Sequence, residues 1–298
     1  MSTVLPRRRR PGRVAAKAAT GRTLSYAVMA LMLAYYLLPI WWLVANSTKS
    51  NLDLYDSPAL WFGGENAFFG NIADVFTEDG GAFGFWLLNT VFYTVASGFG
   101  SLIVSTVAGY AFAKYDFPGK RLAFAALLGV LMVPATALVI PQFLVMTELH
   151  LINTPWAVII PGLLNPFGVY LIRIYAQDAV SDELLEASRL DGAGEIRAFR
   201  SVVLPLLRPA MATVLIFSLV GAWNNYFLPL LMLSDSRLFP ITVGLGDWYA
   251  RAEATAGAST PLYNLVITGS LIAIVPLVVS FVVLQRHWTG GLAMGSLK

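Results

Sequence analysis

The sequence contains no cysteine, only two histidines and few charges, and each shortage removes a class of chemistry. Without cysteine there is no disulfide framework, no thiolate nucleophile and no cysteine metal site. His150 and His287 belong to no H-E-x-x-H helix and to no other zinc-binding spacing. The nearest approach to a P-loop is Gly290 to Gly295, followed by Ser-Leu-Lys instead of Lys-Ser/Thr. The chain is therefore expected to hydrolyse no ATP and to bind no cofactor of its own; energy, if used, comes from a partner. Charged residues make up 12% of the chain against about a quarter in soluble domains, and hydrophobic residues 57%. Such a balance belongs to an integral membrane protein.

The apolar residues fall into six stretches, at about residues 24–45, 86–113, 122–146, 155–175, 210–233 and 264–285. Each is long enough to cross a hydrocarbon core of roughly 30 Å as a helix. The first is too long for the core of a signal peptide and lacks a convincing small-residue cleavage site, so it reads as an anchor. Within the second, Ser97, Ser101, Ser105, Gly109 and Ala113 recur every four residues, a small-residue face that lets another helix approach closely. The third carries Pro134 and Pro141, each removing a helical hydrogen bond and predicting a kink. Pro161, Asn165 and Pro166 interrupt the fourth, and Trp223-Asn224-Asn225-Tyr226 the fifth. Residues 46–85 and 234–263 read as sizeable external loops.

Charge sets the orientation. Residues 1–23 carry seven bases and no acid, a run that beside a membrane span signals retention in the cytoplasm and not nucleic-acid binding. With six spans and the amino terminus inside, Lys49, Arg237 and Arg251 are the only bases outside, against seventeen of the twenty inside. Both termini, including the tail 286–298, are then cytoplasmic. No Asp or Glu lies in a predicted span, whereas a secondary carrier coupled to ions is expected to have them. A membrane-embedded enzyme is disfavoured too, since neither histidine falls within a span.

Between the fourth and fifth spans lies the polar loop 178–208. Ser181 is a good N-cap, with Asp182 and Glu183 in the first turn where the helix dipole favours carboxylates. A short helix is expected through Leu190, with Gly192 and Gly194 bending the chain before a second helical run from Glu195 to Val203. Pro205 then opens the next membrane segment. Glu186-Ala187-Ser188, Asp191-Gly192 and Val202-Val203-Leu204-Pro205 stand at the spacing of the EAA loop of bacterial ABC importer permeases, departing at Ser188 for Ala and Val202 for Ile.

Residues 89–120, LMVPATALVIPQFLVM (131–146), LINTPWAVIIP (151–161), GAWNNYFLPLLML (221–233) and the tail TGGLAMGSLK (289–298) extend the resemblance over nearly everything from Leu24 onward. They resemble the carbohydrate branch of that family, the subunit type related to maltose permease G. The resemblance implies an all-α type I ABC importer permease fold in a bacterial plasma membrane. It also implies a second permease, two ATP-binding subunits that use ATP and magnesium, and an extracytoplasmic binding protein that delivers a sugar. It gives Glu186, Ala187, Ser188, Asp191, Gly192, Leu204 and Pro205 the coupling to the ATPase, and Gly291, Leu292 and Gly295 a contact with it. A permease for a non-sugar solute stays open as the alternative. Polar and aromatic residues inside spans are candidates for the path of a sugar: Gln142, Asn165, Trp223, Asn224, Asn225 and Tyr226.

Overall fold

The computed structural model describes residues 12–254 and 262–292, and all of the regular structure in them is helical. The chain separates into two compact units, residues 1–71 and 72–298.

The first unit is built on α1 (Gly12–Ser47). Leu24, Leu31, Leu33, Tyr35 and Tyr36 on it are exposed, as side chains facing lipid would be. The polar stretch after it folds back over the helix end. Asn46 donates from Nδ2 to the carbonyls of Trp42 (2.8 Å) and Ala59 (2.9 Å), and Asn71 donates to those of Ser47 (2.8 Å) and Lys49 (2.9 Å). Trp41 meets the rings of Trp61 and Phe62, an aromatic cluster of the type that sits at a membrane-water boundary. What composition reads as a loop is thus partly a cap, and it contains the helix α2 (Phe68–Thr77).

The second unit is organised around α3 (Ala82–Lys114). Its small residues do what their spacing predicts. Ser97, Ser101, Ser105 and Gly109 are buried, and α7 (Pro166–Ala179) and α9 (Leu204–Trp223) pack against this face. The approach is closest at Gly109, where a Cβ would fall 2.7 Å from Ile172 Cβ and 2.8 Å from the Val169 carbonyl oxygen. Without a hydrophobic drive between helices in lipid, such close packing is what joins them.

Prolines set the breaks, though not all as expected. The third apolar stretch is not one kinked helix. α4 (Lys120–Leu131) stops, Pro134 takes extended backbone, and the chain resumes in a short 3-10 turn and α5 (Val139–Glu148), at 111° to α4. A residue before proline is pushed out of helical geometry, and Pro134 has no N–H to donate. Pro141 bends nothing, because it lies in the first turn of α5, where its missing N–H had no helical acceptor. The fourth stretch is divided into α6 (Trp156–Gly162) and α7, with Asn165 as N-cap and Pro166 in the first turn. α8 (Asp182–Leu190) follows. The fifth segment begins earlier than hydropathy suggests: residues 195–198 are helical, residues 199–203 form a π turn, and α9 continues from them without a stop. Pro205 cannot donate to the Ser201 carbonyl, and the helix widens just ahead of it.

α9 ends at Trp223, and after a break at residues 224–226 the chain makes α10 (Phe227–Met232). The supposed loop 234–263 holds α11 (Ile241–Ala254), and α12 (Leu262–Leu292) is the last helix. Residues 236–241 lie along the amino-terminal end of α3. Trp86 Nε1 donates to the Ser236 carbonyl (2.8 Å), Asn89 to that of Arg237 (2.7 Å), Tyr93 to that of Leu238 (2.8 Å), and the Ile241 N–H to Thr90 Oγ1 (2.7 Å). Irregular backbone is thereby satisfied by side chains of a spanning helix. Among the described residues, five segments are long and apolar enough to cross a membrane, and the bent pair α4 and α5 would make a sixth.

Two predictions concern these joints. Gly109→Ala should destabilise the protein by about 1–3 kcal/mol, the usual cost of overpacking, read as a lowered unfolding midpoint in detergent. The second concerns Asp79, which accepts from Trp248 Nε1 (2.9 Å) and pairs with Arg251. The Arg251 guanidinium holds its carboxyl below the usual range. A depressed carboxylate stabilises above its unfolded value near ~4 and loses that contribution as pH falls through its folded value. Acidification below about 4 should therefore loosen the packing of buried Trp248, followed by tryptophan fluorescence, and Asp79→Asn should remove this pH dependence.

Candidate functional site

The polar loop folds as its residue pattern predicts. Ser181 Oγ accepts from the Leu184 N–H (3.4 Å) and starts α8. The carboxyl of Glu183 is held below its ordinary value chiefly by its own backbone N–H and then by Ser181. At the other end, Asp191 is the C-cap and Gly192 adopts φ +81°. The Gly192 N–H donates to the Arg189 carbonyl (3.0 Å) and the Ala193 N–H to that of Ser188 (3.0 Å), the paired bonds of a Schellman ending. Space is not what demands glycine at 192, since a Cβ there would meet nothing within 4 Å; the left-handed backbone is.

α8 has two faces. Leu185 and Ser188 are buried, and the Ser188 hydroxyl donates to the Leu185 carbonyl (2.8 Å), so serine fits where the family pattern has alanine. Leu185 enters an apolar cluster with Tyr110 of α3, Ile172 and Ala176 of α7, Val203, and Leu207 and Val214 of α9. Glu186, Ala187 and Leu190 are exposed on the opposite side, Leu190 at 89%. Beside them an open hollow of 740 Å³ is lined by Gly194, Glu195, Ile196, Arg197, Arg200 and Ser201, and Ile196 is 77% exposed. Leu204 and Pro205 open α9, and Val203 just before them is fully buried.

A polar brace that sequence spacing did not reveal surrounds this loop. Lys114 Nζ pairs with Asp182 Oδ1 at 2.7 Å. Glu195 accepts from the Tyr115 hydroxyl at 2.6 Å and from Arg189 Nε at 2.9 Å. That carboxylate pushes the Tyr115 phenol well above its usual value and raises Arg189 as well. Asp182 is 68 residues from Lys114 and Glu195 is 80 from Tyr115, separations at which no local motif signals a pair.

The intramembrane candidates divide. Asn165 and Asn225 line a cavity of 220 Å³ between α3, α6, α9 and the N-cap of α7, together with Tyr93, Ser97, Ser101 and Ser218. Asn165 is largely committed to structure: its Oδ1 caps α7 through the Gly168 N–H (2.8 Å), and its Nδ2 donates to Ser218 Oγ (3.1 Å). Ser101 and Ser218 hydroxyls lie 3.2 Å apart. Ser97 and Ser101 were read only as a packing face and Ser218 was not singled out; their hydroxyls were the available signal. Gln142, Trp223, Asn224 and Tyr226 are not among its lining residues. Trp223 is buried at the end of α9, and Asn224 donates to the Val220 carbonyl one turn back (2.9 Å). The Tyr226 ring lies against Gly246, and Gln142 is half-buried on α5. Gly291 and Leu292 close α12, and Gly295 lies outside the described residues.

Residues 102–289 match the family model of the binding-protein-dependent transport system inner membrane component. The arabinooligosaccharides transport system permease protein of Halalkalibacterium halodurans is 32% identical over 279 residues, covering 93% of this chain and 95% of that one. The sn-glycerol-3-phosphate transport system permease protein of Yersinia pestis bv. Antiqua is 30% identical over 210 residues, 70% of this chain and 73% of its own. Among solved structures, that of a bacterial ABC transporter involved in the import of the acidic polysaccharide alginate superposes with a TM-score of 0.77 at 24% identity, covering 95% of this chain and 99% of that one, a likeness of fold. The chain belongs to the binding-protein-dependent transport system inner membrane components, the bacterial membrane permease subunits of ABC importers, which are not themselves enzymes.

Proposed function

We propose that the chain is the permease of a saccharide importer that works by alternating access, with α8 as the lever that carries the motion of an ATPase into the membrane. The observation that carries this reading is the seat of Leu185 in a cluster shared by α3, α7 and α9, while Glu186, Ala187 and Leu190 remain exposed. A displacement of α8 must then move three spans. One of two ATP-binding subunits, charged with ATP and magnesium, docks on the exposed face and on the hollow near it. A second permease completes the pathway, and an external binding protein delivers the sugar. Six spans with both termini cytoplasmic agree with the basic amino-terminal run and the three external bases. Gly192 fixes the direction in which the chain leaves α8, Asp191 ends it, and Leu204-Pro205 receive the motion at the foot of α9. Gly291, Leu292 and Gly295 reach the ATPase from the carboxyl tail. The cavity at Asn165 and Asn225 offers hydroxyls and amides to a solute on its way. Gln142, Trp223, Asn224 and Tyr226 have packing or helix-ending positions and contribute indirectly.

The saccharide reading rests on the substrates named for the arabinooligosaccharide relative and the alginate transporter. A second reading, a polyol phosphate, is favoured by the relative named for sn-glycerol-3-phosphate. Uptake of labelled oligosaccharide and of labelled glycerol phosphate by cells expressing the whole transporter separates the two.

For coupling, the test is Gly192→Val. A β-branched residue in left-handed backbone costs about 1–2 kcal/mol or more, so the end of α8 should be displaced. The variant should reach the membrane at normal abundance, yet uptake should fall at least about tenfold and ATPase activity should no longer respond to substrate; Gly192→Asn, which tolerates that backbone, should retain most of both. Normal uptake by the valine variant would remove the lever from the mechanism.

A further inference from the structure

A second charged pocket, of 420 Å³, opens between the start of α4 and the inner half of α7. Phe112, Lys120, Arg121, Phe124, Leu128 and Arg173 are among the residues that line it. Its volume lies within the roughly 300–1,000 Å³ of small-molecule sites. Three cations face it against one carboxylate, Asp116, whose side chain is fully exposed and pairs with Lys120 at 3.1 Å.

Arg173 is the unusual member. It lies on α7, two residues before the end of the apolar stretch 155–175 and inside a segment apolar enough to span the membrane. Its guanidinium carbon sits 4.0 Å over the centre of the Phe124 ring, which itself stacks on Tyr170. Nε is buried and has no hydrogen-bond partner, and among the described residues no carboxylate pairs with the side chain. A guanidinium nitrogen buried at the end of a span is costly unless something anionic meets it.

The pocket also grades from charge to hydrocarbon. Lys120 and Arg121 stand at the first turn of α4, and Ala125 and Leu128 follow one and two turns on along the wall. No residue of α4 is buried, and Leu122, Val130 and Leu131 are exposed apolar side chains. A soluble anion would use only the charged end. A molecule with a phosphate at one end and acyl chains at the other would use both, and basic pockets between membrane helices suit such headgroups. We propose that this pocket holds the phosphate of an anionic membrane phospholipid, with Arg173 at the phosphate, Lys120 and Arg121 at the rim and the acyl chains along Ala125 and Leu128. On the orientation argued above, the lipid belongs to the cytoplasmic leaflet, but the site itself does not depend on which solute is carried.

The test is native mass spectrometry of the full-length chain, purified in mild detergent with the subunits that accompany it and titrated with phosphatidylglycerol or phosphatidylcholine. One tightly retained phosphatidylglycerol per chain is expected, with no comparable retention of phosphatidylcholine. Apparent affinity should fall about fivefold for each charge removed in Arg173→Gln and in the rim pair Lys120→Gln with Arg121→Gln. The rim pair keeps the test open should Arg173→Gln fail to fold. Inorganic phosphate at millimolar concentration should not displace the lipid. Equal retention of the two lipids, or unchanged phosphatidylglycerol retention in the rim variant, would overturn the proposal. Displacement by inorganic phosphate would overturn it in favour of a soluble anion.

Discussion

The insertion of Leu185 into the base of the helix bundle is the constraint on which the rest of this structure depends. A nine-residue amphipathic helix has little stability in isolation, because nucleation costs more than so few hydrogen bonds return. α8 persists because one side chain is buried among α3, α7 and α9, and because both ends are closed, by Ser181 and by Gly192. The brace of Lys114, Asp182, Tyr115, Glu195 and Arg189 adds little free energy, since each of its pairs has at least one partner exposed to water, but it fixes orientation. The apolar seat holds the helix and the polar contacts aim it.

That seat can exist only because the helices above it lie close together. Ser97, Ser101, Ser105 and Gly109 on α3 let α7 and α9 approach to the point where a single added carbon at 109 would collide with backbone. The same small residues leave space towards the middle of the bundle, where serine hydroxyls and two asparagines enclose a polar cavity. Close packing at one level and a polar cavity at another thus come from one choice of residue size.

Much of this was legible in the sequence, and the parts that were not share a cause. Periodicity and charge gave the positions of the apolar segments, and the spacing of Glu186, Gly192 and Pro205 gave the polar loop together with its caps. Small residues every four positions announced the face of α3. Proline was read less well, because its effect depends on its place in a turn: Pro134 ends a helix, whereas Pro141 sits where a helix begins and bends nothing. Residues 46–85 and 234–263 were taken as external loops, since glycine and acidic residues conceal the aromatic and amide contacts that order them. Hydrogen bonds spanning about 150 positions, such as those from Trp86 and Tyr93 to the backbone near Leu238, have no local signature at all. Asn165, picked out for a solute, also serves as an N-cap, a reminder that polarity inside a membrane is often used by the backbone as well.

The π turn at residues 199–203 has a consequence for the surface it joins. A helix that takes one extra residue into a turn advances its downstream side chains by about 100° relative to an uninterrupted spiral. The exposed row around Ile196 and the buried row around Leu207 and Val214 are therefore out of phase with each other. A single continuous rod thereby shows one azimuth to water below and another to its neighbouring helices above, and the cost is borne by a stretch that proline already prevents from closing normally.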